Sequence, residues 1–228
     1  MSLPEASLIL SNMIRTILFD LDGTLIDSEP VGVQAIMECT KEWGVPVSYE
    51  DASVVVGKKW DVAFDLVYDR YVMPLPKEEA SRRIVERFKQ LHRAHPSIVP
   101  GVVEAIRDLS RVYNLALVTG SHRDDALWAL KALDVEANFR FVFGAEDYPR
   151  SKPAPDGFLA ALAALGSTGA DALVFEDSVA GIASARAAGC RVVAVECTNH
   201  FGHDQSGADG RIRDFAGVGV EWVRKAFP

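Results

Sequence analysis

Beyond residue 100 the chain alternates between two textures, and that alternation restricts the fold more than any other feature. Short apolar runs, NLALVTG (114–120), FRFVFG (139–144), DALVFED (171–177) and RVVAVE (191–196), are separated by stretches with helical spacing, such as DDALWALKAL, PDGFLAALAALG and VAGIASARAAG. Parallel strands need crossover connections, usually helices, and a β–α repeat of this kind places helices on both faces of one sheet. An earlier run, IRTILFD (14–20), is apolar and ends in an acid, as a buried strand would. The expected fold class is therefore α/β, a doubly wound parallel sheet.

One block interrupts the alternation. From Val31 to about His95 the patterns VQAIMECTKEW, DVAFDLVYDRYV and PKEEASRRIVERFKQLH read as amphipathic helices, with no convincing strand. Pro76 with Glu78 and Glu79 suits a helix start, since acids favour the first turn. The sequence HPSIVPG (95–101), with two prolines and a glycine, closes the block. Residues 1–30 and 98–228 are thus expected to form the α/β core, and 31–97 an inserted helical domain.

Composition removes other classes. Among 228 residues, 49% are hydrophobic and 25% charged, the balance of a globular chain rather than a disordered one. Asp and Glu number 32 against 24 Lys and Arg, a formal net charge of −8. Such a chain repels phosphate backbones and anionic lipid, so nucleic acid and membrane are not expected partners, and any small anionic substrate needs a local positive site. No apolar run approaches the roughly 18 residues that suggest a membrane span. The N-terminus lacks a basic region and a long apolar stretch, as a secretory signal would have. Three cysteines, at 39, 190 and 197, form no CxxC pair and fit a reducing cytosol better than a disulfide framework. A cytoplasmic location is expected.

In open α/β sheets ligands sit beyond the carboxyl ends of the strands. The residues expected there are Asp20-Leu21-Asp22, Thr119-Gly120-Ser121 and Glu176-Asp177-Ser178, with Lys152 in the loop SKPAPD. Several carboxylates near one point repel each other unless a cation sits among them, and oxygen donors alone favour Mg2+. Asp20 and Asp177 would supply carboxylate oxygens. Asp22, where the chain turns at Gly23, would offer its backbone carbonyl, and Glu176 a third carboxylate or a water-mediated contact. Lys152 is the counter-charge for a carboxylate and a phosphate oxygen. Pro153 pushes Lys152 toward an extended backbone. Thr119 offers a hydroxyl, and the backbone N–H groups after it, from Gly120 on, form an anion site. A carboxylate nucleophile, a metal, a cation and phosphate donors together describe phosphoryl transfer. Each motif has a plainer reading alone, since DG marks a turn and ED before a helix an N-cap. All four, in order and at strand ends, are unlikely to arise by chance.

The sequence resembles haloacid dehalogenase superfamily phosphatases of the β-phosphoglucomutase-like and phosphoglycolate-phosphatase-like group, which carry a small helical cap. The matching residues are DLDGTLIDS (20–28), VTGS (118–121), SKPAPD (151–156) and VFEDSVAGIASARAAG (174–189). The resemblance implies that Asp20 attacks phosphorus and that Asp22 protonates the leaving oxygen and then activates water. It implies that Thr119 and Lys152 hold the phosphoryl oxygens, and that Asp20, the Asp22 carbonyl and Asp177 bind Mg2+. The implied substrate is a small phosphomonoester, a sugar phosphate or a phosphorylated small acid. It further implies that the cap loop VVGKKWD (55–61) sets specificity, through Lys58, Lys59 and Trp60.

Two other functions compete. The β-phosphoglucomutases carry a His twelve positions after the nucleophile, where this chain has Gly32, and a basic cap loop whose Arg and Lys positions here hold Trp60 and Val56. Hydrolysis is therefore favoured over phosphosugar mutation. A catalytically silent binding protein on the same fold is the other reading; no catalytic position has been lost to support it. His92 with His95, and His200 with His203, have i,i+3 spacing but no third ligand type nearby, so they read as surface residues rather than metal sites. The loop carrying His200 and His203 follows the last expected strand and is a second candidate for the rim of the site.

Overall fold

Successive side chains of a strand point to opposite faces of a sheet, so a strand buried on both faces is apolar throughout. The computed structural model describes residues 13–55 and 60–228, with the backbone alone at 61–63. Its strands β1 (Thr16–Phe19), β2 (Asn114–Val118), β4 (Ala172–Glu176) and β5 (Arg191–Val195) follow that rule closely. Ile17, Phe19, Leu115, Leu117, Leu173, Phe175, Val193 and Val195 join one buried cluster. Their neighbours Leu18, Ala116, Val118, Val174, Val192 and Ala194 join another on the opposite face.

Helices cover both faces, as the β–α alternation requires. The first cluster is completed from α5 (Val102–Leu109), α6 (Arg123–Ala132) and α9 (Val220–Ala226) by Ile106, Leu130 and Val223. The second is completed from α7 (Asp156–Leu165) and α8 (Val179–Ala187) by Phe158, Leu162 and Ile182. With β3 (Phe141–Phe143) and β6 (Gly210–Ile212), the described residues form a six-stranded sheet of order β3-β2-β1-β4-β5-β6. Every pairing is parallel. The doubly wound parallel sheet expected from the sequence is what the chain forms. Strand order reverses direction at β1, which lies between β2 and β4. Phe19 is in register with Leu117 on one side and Phe175 on the other.

Two elements lay outside the sequence expectation, which ended the strands at 196. β6 is three residues long, and its Gly-Arg-Ile carries no recognisable period. It forms because β5 offers an open edge: Val193, Ala194 and Val195 pair with Gly210, Arg211 and Ile212. The pairing continues past the strands, with Glu196 N–H donating to Ile212 O at 2.9 Å and Cys197 N–H to Arg213 O at 2.8 Å. Helix α9 follows and packs Val220 and Val223 into the core.

The chain divides into two compact units, one comprising residues up to Ile26 with Ile98–Pro228, the other Asp27–Ser97. The second is helical: α1 (Glu29–Glu42), α2 (Tyr49–Ala52), α3 (Trp60–Tyr68) and α4 (Lys77–Ala94). Pro30 lies in the first turn of α1, where its missing N–H costs nothing, so it opens this helix. Val33, Ile36, Phe64, Val67, Ala80 and Ile84 form the unit's own core. Among the described residues, no helix is long and apolar enough to cross a membrane.

The α/β core depends on a cluster of aromatic rings at the centre of the sheet. Phe19 and Phe175 stack at 5.2 Å between ring centroids, and Phe175 meets Phe215 at 5.1 Å. All three side chains are buried. Phe175→Ala is expected to destabilise the α/β unit by about 3–5 kcal/mol, the usual cost of a large cavity. Urea denaturation followed by tryptophan fluorescence measures this, and a loss below about 1 kcal/mol, the centre of the range for ordinary substitutions, would show that the cluster can collapse around the void.

Candidate active site

The strand ends bring the expected residues to one rim. Asp20 immediately follows β1, and its backbone N–H donates to Phe175 O on β4 at 3.1 Å. On the other side of β1, Thr119 follows β2 and donates its N–H to Phe143 O at 3.0 Å. Glu176 ends β4 and Asp177 follows it. Lys152 arrives from the loop that precedes α7, a loop held by a 2.6 Å hydrogen bond from Ser184 Oγ to Ala154 O. The Lys152–Pro153 peptide is cis.

Lys152 binds two of the acids at once. Its Nζ lies 2.5 Å from Asp20 Oδ1 and 2.6 Å from Glu176 Oε1, and 5.2 Å from the centre of the Phe158 ring. The other oxygen of Glu176 accepts the Ser178 N–H at 2.7 Å and the Ser178 hydroxyl at 3.0 Å. Both Glu176 oxygens are thus engaged within the protein. The Glu176 side chain anchors Lys152, a contact that comes beside the expectation of Glu176 as a third carboxylate or a water-mediated contact of the metal.

Asp22 and Asp177 are placed by the turn after β1. Gly23 adopts φ +81°, a conformation that favours glycine, and a Cβ added there would lie 2.1 Å from Asp177 Oδ2. The glycine therefore lets the turn press against the Asp177 carboxylate. Thr24 Oγ1 donates to Asp177 Oδ1 at 3.1 Å. Asp22 Oδ2 accepts the Ser121 hydroxyl at 2.6 Å. Thr119 is buried; its Oγ1 accepts the Ser121 N–H at 3.0 Å, and its carbonyl accepts the Tyr148 hydroxyl at 2.6 Å. Gly120 stands between Thr119 and Ser121 with open space beside its Cα.

The electrostatics follow from three carboxylates, Asp20, Glu176 and Asp177, facing one ammonium, with Asp22 beside Asp20. Burial is the largest influence on Asp20 and outweighs the attraction of Lys152; Glu176 and Asp22 add repulsion, and the carboxyl is raised to about 7. Asp177 is raised well above the usual carboxylate range, first by loss of solvent and then by Glu176 and Asp20. Burial alone would lower the Lys152 ammonium, but Asp20 and Glu176 reverse this and hold it above its ordinary value. Uncompensated negative charge of this kind is what a divalent cation relieves. The donors here are oxygens only, which suits Mg2+ rather than zinc or copper. Among the described residues no group of three His, Cys, Asp or Glu side chains is placed to hold a metal. Asp20, Asp177 and the backbone carbonyl of Asp22 are the oxygen donors that would hold such an ion.

Some functional contacts could not be read from sequence. Ser121 belongs to the VTGS stretch, but nothing in the motif points it at Asp22. Tyr148, Thr198 and Gln205 reach the site through hydrogen bonds to backbone carbonyls, a role without a sequence signature. Lys58 and Lys59 lie outside the described residues. Trp60 lies in the helical unit, where its Nε1 donates to Ser81 Oγ at 2.8 Å and its ring stacks on Phe64 at 5.5 Å.

Comparison with known proteins places the chain in a family. A family model described as haloacid dehalogenase-like hydrolase matches residues 17–195. The chain is 32% identical to protein CbbY of Rhodobacter capsulatus, over 92% of this chain and 97% of that one. It is 30% identical to hexitol phosphatase B of Escherichia coli, over 80% and 83% of the two chains. Among solved structures, CbbY from Rhodobacter sphaeroides in complex with phosphate superposes with a TM-score of 0.78 at 25% identity, covering 93% of this chain and all of that one. Fold, rim residues and similarity converge, and the chain belongs to the haloacid dehalogenase-like hydrolase family.

Proposed function

We propose that this protein is a Mg2+-dependent phosphatase of small phosphomonoesters, sugar phosphates or phosphorylated small acids, that works through an aspartyl phosphate on Asp20. The observation that carries this reading is Lys152 held between Asp20 and Glu176 at the end of β1, where strand order reverses. The names of the relatives, which include a hexitol phosphatase, support the substrate class.

In this reading an Asp20 carboxylate oxygen attacks phosphorus as the ester P–O bond breaks, and the leaving oxygen takes the proton of Asp22. Asp22, now a carboxylate, then removes a proton from water. The resulting hydroxide attacks phosphorus, the P–O bond to Asp20 breaks, and inorganic phosphate leaves with both carboxyl groups restored. Ser121, at 2.6 Å from Asp22 Oδ2, orients that carboxyl for both transfers. The Thr119 hydroxyl, the Gly120 N–H and Lys152 bind the phosphoryl oxygens, where negative charge must be matched in the transition state. Mg2+, when bound by Asp20, Asp177 and the Asp22 carbonyl, would neutralise further phosphoryl charge. Gly32, where the resembled mutases carry a His, favours water as the acceptor over a second sugar hydroxyl. The part in substrate choice assigned to Lys58, Lys59 and Trp60 rests on sequence likeness.

Asp20→Asn is expected to abolish phosphate release while the far-ultraviolet circular dichroism stays that of the wild type. Turnover retained in that variant would sink the covalent mechanism. Asp22→Ala should slow alkyl phosphates by about 10²–10⁴-fold, the usual worth of general acid–base help, and aryl phosphates far less. Equal losses on both would give Asp22 another role.

The raised Asp20 carboxyl also sets a pH dependence. In metal-free protein its value of about 7 exceeds the ordinary 3.8, so the folded state holds a proton that the unfolded chain has lost. The associated stability is fully present below the ordinary value and is lost as pH rises through about 7. In EDTA, the thermal midpoint of the wild type should fall over this window relative to that of Asp20→Asn. Added Mg2+ should raise the midpoint more at the upper end of the window than at the lower, because cation and proton compete for one carboxylate. An increment that does not change with pH would count against Asp20 as a metal ligand.

A further inference from the structure

The segment between β5 and β6 contains two polar side chains that are almost fully buried and that the mechanism above does not use. Thr198 is 2% exposed and Gln205 is 4% exposed. Neither serves its own loop in the contacts described. Thr198 Oγ1 donates to Gly23 O at 2.6 Å, across 175 residues of sequence. Gln205 Nε2 donates to Asp177 O at 2.6 Å and to Val195 O at 2.9 Å. A buried amide that spends both protons on backbone carbonyls is a specific arrangement, since a side chain of the same size without donors would leave those carbonyls unsatisfied.

Two of these three carbonyls, Gly23 O and Asp177 O, belong to the two loops that must meet at the carboxylate rim. Gly23 lies next to Asp22, and its N–H donates to Ile26 O at 2.7 Å. Its carbonyl is part of the peptide that leads into Thr24, and Thr24 Oγ1 holds Asp177 Oδ1. Both sides of Gly23 are thus engaged, beside a residue that is itself bonded to Asp177. From the other loop, Gln205 fixes the Asp177 backbone against the end of β5. The base of the segment is itself rigid, because Glu196 and Cys197 continue the pairing toward β6. Within it, Asn199 and His203 exchange two hydrogen bonds, of 2.9 and 2.7 Å, that close the excursion between the two buried residues.

We propose that Thr198 and Gln205 are positioning residues for the cation site: they hold the Asp22–Thr24 turn and the Asp177 loop at the separation that Mg2+ requires. They touch neither substrate nor metal and act through Gly23 and Asp177. The proposal rests on the Mg2+ reading given above. Residues that orient metal ligands typically change metal affinity by about 10–100-fold when replaced, and an effect of that size on the Mg2+ Kd is expected here.

The test is calorimetric titration of the full chain with MgCl2, in the wild type and in Thr198→Val, Thr198→Ser and Gln205→Met. Valine keeps the shape of threonine and removes the donor, while serine keeps the donor. Thr198→Val and Gln205→Met should weaken Mg2+ binding, Thr198→Ser should bind as the wild type does, and kcat should recover in the weakened variants at saturating Mg2+. If Thr198→Val does not fold, Gln205→Met carries the same test from the Asp177 side. Variant isotherms that superimpose on the wild type would overturn the proposal, as would a serine variant as weak as the valine one. A wild-type chain that gives no Mg2+ heat would instead overturn the metal reading on which the proposal rests, so the two failures are distinct.

Discussion

The ammonium of Lys152, held between two buried carboxylates, is the interaction on which the rim depends. Its side chain is 13% exposed, and those of Asp20 and Glu176 are 8% and 1% exposed. Charges removed from water this far cost several kcal/mol each, and their mutual attraction offsets the cost only when hydrogen bonds satisfy what remains. Here the second Glu176 oxygen is satisfied by Ser178, which also caps α8 by accepting the Gly181 N–H at 3.0 Å. The charge network thus runs from the loop before α7, through the end of β4, into the first turn of α8. Within it the Asp20 carboxyl is raised above its ordinary value, chiefly by burial and then, against the pull of Lys152, by two neighbouring acids. In the proposed mechanism this carboxylate, beside a fixed cation, is the one that meets the divalent ion and phosphorus.

Strand order explains why these groups meet at all. β1 has β2 on one side and β4 on the other, so residues just past the three strands become neighbours despite their distance in sequence. This placement was legible from the sequence, because each motif could be assigned to a strand end from its apolar run. Asp20, Thr119, Glu176 and Asp177 were found on that basis, and Lys152 from its loop SKPAPD. The bond from Lys152 to Glu176 was not legible: ED before a helix has the same letters whether or not a lysine reaches the Glu. That depends on where the Lys152 loop passes, and no local pattern encodes it.

The segment after β5 was hidden for a related reason. Gly210-Arg211-Ile212 has no propensity or period that marks a strand, and it becomes one only because β5 presents an unpaired edge. Thr198 and Gln205 stand in a stretch of polar residues that reads as a surface loop, yet both are buried. Their partners, Gly23 O and Asp177 O, are backbone atoms, and backbone atoms leave no trace in residue identity. Side chains that contact side chains of a complementary kind can be guessed from a sequence. Side chains that hold the main chain of a distant loop cannot.

Gly181 ties the evolutionary freedom of α8 to the chemistry of the rim. A Cβ at this position, in the first turn of α8, would fall 1.6 Å from Glu176 Oε1, the oxygen that holds Lys152. Helix propensity would favour almost any other residue there. In a saturation library, position 181 would consequently score as intolerant although its residue has no side chain and performs no chemistry. Its neighbours Ala180 and Ala183, which face away from the sheet clusters, would accept broad substitution. A map of such tolerance would trace the outline of a carboxylate through the one position where the helix must stay bare.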